Sequence, residues 1–99
     1  NQDILIKKIG TRLQTKSTDI DIARLYIALV EYRFMYRCPM TTFRKALQNQ
    51  FKEQKIVQER GIQRAYNSLT SPCGNSKKLM KDIGDERTAI DELKTYLSE

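Results

Sequence analysis

Ninety-nine residues, 39% of them hydrophobic and 30% charged, can bury one core and not two. Two prolines and four glycines leave little room for the tight turns of a small β-sandwich. No apolar run approaches the roughly 18–20 residues of a membrane span, no signal peptide is visible, and the net charge is +6.

The first amphipathic segment spans about Asp3 to Leu13, where Leu5, Ile6, Ile9 and Leu13 recur at spacings of three and four. Gly10 inside it costs roughly 1 kcal/mol relative to Ala, so this helix should depend on docking. A polar connector follows, and Thr18 is placed to cap the next helix with Asp21 three residues on. From about residue 19 to 37 nearly every side is apolar, with only a narrow polar stripe through Asp21, Arg24 and Glu31. Such a helix must be wrapped by other elements, so it is predicted to be the buried centre of the fold. Phe34 and Tyr36 follow its inward positions, and Pro39 marks its stop.

Thr41 or Thr42 is predicted to cap a third helix running to about Phe51, with Phe43, Ala46, Leu47 and Phe51 inward. A fourth runs from about Ile56 to Leu69, with Ile62, Ala65, Tyr66 and Leu69 inward; alternatively it begins near Gly61 after an extended lead-in. Thr70 to Ser76 is the clearest loop. Lys77 to Ile83 and Asp85 to Leu97 are two helices broken at Gly84, the preferred reading, or one helix kinked there. The fold class is therefore all-α, a bundle of five or six helices around a central buried helix.

Charge is concentrated in one third of the chain. Between Arg33 and Arg64 stand eight basic residues and two acids, Glu53 and Glu59, so this segment alone carries +6. A localised field of that kind suits an anionic partner. The two basic helices resemble a helix-turn-helix pair in outline, although Gln50 stands where a turn glycine belongs. The candidate nucleic-acid-binding residues are Arg33, Arg37, Arg44, Lys45, Lys52, Lys55, Arg60, Gln63, Arg64 and Asn67. Arg and Lys suit phosphates, while Arg reads guanine and the amides of Gln and Asn read adenine.

The function expected on this reading is non-catalytic binding of DNA or RNA. The alternative partner is an acidic protein surface. A third reading is a small secreted factor bridged by Cys38 and Cys73, which would lie at the same end of an up-down-up arrangement. The start at Asn1 without Met fits an excised or processed chain, so the missing signal says little about compartment, and an intracellular location is favoured. With no His and two Cys no structural zinc site can be completed, and no other metal, cofactor or catalytic constellation is expected. The acidic residues after Lys81 sit at ordinary helix-surface spacing.

Overall fold

The computed structural model describes residues 2–72, 74 and 78–98, with nothing stated of the Gln2 side chain. Among these residues there are five α-helices and no strand: α1 Gln2–Leu13, α2 Asp19–Glu31, α3 Met40–Gln50, α4 Glu59–Leu69 and α5 Gly84–Ser98. A single 3₁₀ turn, Met80–Asp82, precedes α5, and an isolated bridge between Pro72 and Leu79 closes the loop before it.

α2 buries Ile22, Ala23, Leu25, Tyr26, Ile27, Ala28 and Leu29, and packs on both α4 and α5. Its start is fixed by Thr18, whose Oγ1 accepts from the Asp21 N–H while donating to the Asp21 carboxylate at 2.7 Å. The expected apolar stripes of the other helices join the same core: Ile9 and Leu13 from α1, Phe43 and Leu47 from α3, Ile62 and Leu69 from α4, and Ile90, Leu93 and Leu97 from α5.

α2 is shorter than its apolar composition predicts, ending at Glu31 rather than near residue 37. Arg33 takes φ +60° and completes a Schellman arrangement. Its N–H donates to the Val30 carbonyl, and the Phe34 N–H donates back to Leu29 at 2.9 Å. The usual residue at that position is Gly, so the stop carries no glycine signal in the sequence. Beyond it the helical register is lost. Phe34 stays half-buried, but Tyr36 is 95% exposed rather than inward. Segment 32–39 is then held by the Tyr26 hydroxyl, which donates to the Cys38 carbonyl at 2.7 Å and accepts from the Cys38 N–H.

The connection between α3 and α4 also departs from expectation. No tight turn joins them. Residues 51–58 fold back along α3, and the Arg44 guanidinium donates to the carbonyls of Val57 and Ile56 at 2.9 and 3.3 Å. Thr41, in the first turn of α3, donates its hydroxyl to Glu59 in the first turn of α4. The two helices thus begin side by side, which is not the helix-turn-helix arrangement. Pro39, not Thr41 or Thr42, occupies the N-cap of α3, and Ala46 is exposed. The extended lead-in to α4 is present, with Ile56 buried.

At the C-terminal end the break before α5 is present, but the turn Met80–Asp82 stands where an α-helix was expected, and Met80 is exposed. Ile83 is extended and Gly84 has φ +53°, a conformation that L-residues other than Asn or Asp rarely adopt, so the two segments cannot form one continuous helix. The suggested Cys38–Cys73 bridge involves a residue outside the described ones.

Candidate nucleic-acid interface

Carboxylates and cations pair along one side of the molecule. Arg24 on α2 grips Glu86 on α5 with two parallel bonds of 2.9 Å, and that carboxylate raises its pKa. Arg87 stands between Glu31, Asp82 and Asp91, at 3.1, 3.0 and 2.9 Å, and also donates to the Tyr32 hydroxyl. Lys81 joins Glu31 to Asp82. Burial disfavours the charge on Lys81, but hydrogen bonds to the two carboxylates outweigh it and raise the pKa. The Lys81 bond holds the Asp82 carboxyl below its ordinary value, and the Tyr32 hydroxyl does the same for Asp91. The Tyr32 phenol is raised in turn, because its proton is held by Asp91.

The segment 33–64 is different. Among the described residues none of Arg33, Arg37, Arg44, Lys45, Lys52, Lys55, Arg60 and Arg64 forms an ion pair. Its two acids do not quench them: Glu59 is engaged by Thr41, and Glu53 is exposed on the 51–58 connection.

α4 presents the densest group. Arg60, Gln63, Arg64 and Asn67 share one helical face and line a shallow depression with Glu59. Gln63 donates to the Asn67 side-chain oxygen at 2.9 Å, so the two amides present a joined polar edge. Arg60, Arg64 and Asn67 are exposed, whereas Ile62 and Leu69 on the opposite face are buried. An adjoining cleft of about 370 Å³ is lined by Arg37, Pro39, Met40, Gln63, Tyr26 and Tyr66. Gln63 is shared by both hollows, so Arg37 from the 32–39 segment adjoins the α4 face.

Other expected residues stand elsewhere. Arg44 is half-buried and its guanidinium is engaged by backbone carbonyls, so its role is to position the 51–58 connection. Lys52 lines a separate hollow with Gln14, Asn49 and Gln54. Arg33, Lys45 and Lys55 are exposed and touch neither hollow of the α4 side. Two aromatic residues line the cleft: Tyr26 is buried, and Tyr66, which spacing predicts to point inward, is half-buried, the two rings meeting edge-on with centroids 5.4 Å apart.

Among the described residues no helix is long and apolar enough to cross a membrane, and no group of three or more Cys, Asp or Glu side chains could hold a metal ion. Comparison with curated proteins and with solved structures gives no match. The match to a family model covers residues 1–99, and the chain belongs to that family, a family of unknown function (DUF6043).

Proposed function

We propose that this chain is a non-catalytic nucleic-acid-binding domain whose contact face is the outer side of α4 extended by Arg37. The observation that carries the reading is the separation of charge. Carboxylates pair with Arg24, Lys81 and Arg87, while the cations of residues 33–64 form no ion pair among the described residues. Arg60, Arg64 and Arg37 supply phosphate contacts, and the Gln63–Asn67 edge supplies amides of the kind that meet bases. Lys45, Lys52 and Lys55 add to the field that draws a polyanion in.

An acidic protein partner on the same face is the second reading. Protein interfaces draw most of their affinity from aromatic or aliphatic anchors in dry pockets. The exposed residues of α4 are charged or polar, which fits the polar, wet and cationic character of nucleic-acid contacts better.

The test is a fluorescence anisotropy titration against duplex DNA, single-stranded DNA and RNA at two salt concentrations. Binding should weaken steeply with salt, and Arg60→Ala or Arg64→Ala should each lower the salt slope by about 1. Undetectable binding to all three at low salt would refute the proposal.

A further inference from the structure

We infer that the cleft beside α4 receives one unstacked base, so that the nucleic acid bound is a single strand rather than a duplex. The inference rests on the nucleic-acid reading of the α4 face and adds to it the form of the polymer.

The cleft is built around Tyr26, which ties its parts together. The Tyr26 ring meets Tyr66 of α4 edge-on at 5.4 Å and Phe43 of the core at 4.9 Å. Its hydroxyl donates to the Cys38 carbonyl and accepts from the Cys38 N–H, which fixes the wall carrying Arg37 and Pro39. Tyr66 is thus the least buried of three rings anchored in the core. A ring held in this way loses little freedom when a ligand packs on it.

Size and lining both suit a base. The volume of about 370 Å³ lies within the roughly 300–1,000 Å³ of small-molecule sites. Tyr66, Pro39 and Met40 supply apolar surface, and Arg37 and Gln63 supply polar groups. Among the described residues Arg37 makes no ion pair or hydrogen bond, and the Tyr66 hydroxyl makes no hydrogen bond. Gln63 engages Asn67 through Nε2, which leaves its side-chain oxygen free to accept.

The phosphate path leads to this cleft. Gln63 also lines the hollow that holds Arg60 and Arg64, so a strand lying along those two cations passes the Gln63 side of the cleft. The nearby carboxylates are occupied. Glu59 accepts from Thr41, and Glu31, in a smaller hollow that shares Arg37 and Tyr66, is held by Lys81 and Arg87. A duplex keeps its bases stacked and offers only their edges, so it could fill the cleft only by flipping a base out. The start of α3 beside α4 also removes the arrangement that lays a second helix in a major groove. A cationic path with an aromatic ring beside it is how single strands are held.

The test uses the full chain and fluorescein-labelled oligo-dT and oligo-rU of about 12 nucleotides, within the span of known single-strand sites. An abasic DNA strand of equal length and a duplex of equal length complete the set, all at low salt. The tighter base-bearing strand should bind at least about fivefold more tightly than the abasic strand, and more tightly than the duplex. Tyr66→Leu should remove the advantage over the abasic strand and leave abasic binding unchanged, whereas Arg60→Ala should weaken both strands alike. A circular dichroism melt shows whether Tyr66→Leu is folded; if it is not, the wild-type comparisons decide alone. An abasic strand or duplex bound as tightly as the base-bearing strands would overturn the inference and leave the α4 reading standing. So would a folded Tyr66→Leu that keeps the advantage. Binding to none of the four would remove the α4 reading, and this inference with it.

Discussion

Arg44 donates from Nε to the carbonyl oxygen of Val57 at 2.9 Å, and this bond helps decide where α4 begins. The second donor, Nη2, reaches Ile56, so one guanidinium pins the returning chain against α3. Hydrogen bonds from a charged donor are worth about 1.5–3 kcal/mol. Arg44→Met keeps the stem and removes the donors. It should lower stability by about 1–3 kcal/mol in chemical denaturation, whereas Arg60→Ala, on an exposed face, should stay within about 0.5 kcal/mol of wild type.

Arg33 gives a prediction of opposite sign. A non-glycine residue at φ +60° is strained by roughly 1 kcal/mol, and Gly relieves that strain. The unfolded chain gains freedom with Gly, which offsets part of the benefit. Arg33→Gly should therefore raise the thermal midpoint modestly, by a stability gain of up to about 1 kcal/mol, even though it removes a surface cation. A lowered midpoint would mean that the Arg33 side chain stabilises the fold, because the capping of α2 is done by the backbone alone.

Acid should loosen the α2–α5 side first. Asp82 and Asp91 are held below the ordinary carboxyl value by Lys81 and Tyr32 respectively. A depressed native value stabilises fully above the unfolded value, near 4, and that stabilisation fades as pH falls through the native value. Midpoints measured from pH 6 downward should therefore decline below about pH 4. Asp82→Asn should start less stable and decline less. A pH profile in which Asp82→Asn parallels wild type would contradict this.

Gly10 and Phe51 form a pair that a double-mutant cycle can separate. Gly10→Ala gains roughly 1 kcal/mol of helix propensity but drives a methyl group into the Phe51 ring. The single variant should be destabilised by about 1 kcal/mol or more, because the ring must leave its seat. Combined with Phe51→Leu, the alanine should become neutral or favourable, giving a coupling of about 1 kcal/mol. Denaturant midpoints of the four proteins provide the measurement.

Periodicity was a good guide wherever a helix buries one face. Ile9 and Leu13, Ile62 and Leu69, and Ile90, Leu93 and Leu97 were all legible from spacing alone. Chain reversals were harder to read. The end of α2 rests on Arg33 in a conformation that glycine normally marks, so the run from Tyr32 to Tyr36 looked like more helix. The return of residues 51–58 depends on a tertiary bond from Arg44, a residue whose charge in sequence suits a phosphate equally well. The α4 face was legible as a set, since Arg60, Gln63, Arg64 and Asn67 fall on one side by spacing. Its meeting with Arg37 was not, because that needs the early end of α2 and the fold of segment 32–39.

The pairing of carboxylates along α2 and α5 has an electrical consequence. With Glu31, Asp82, Glu86 and Asp91 neutralised locally, and Arg37, Arg60 and Arg64 left without ion-pair partners among the described residues, the charge that these two sets leave uncompensated is positive and belongs to the α4 side of the molecule. Near a polyanion the molecule would rotate before any atoms touch, within about one Debye length, ~8 Å at physiological salt. On the proposed function, most encounters would then begin with the same side forward, and contacts at α4 would need only a local search.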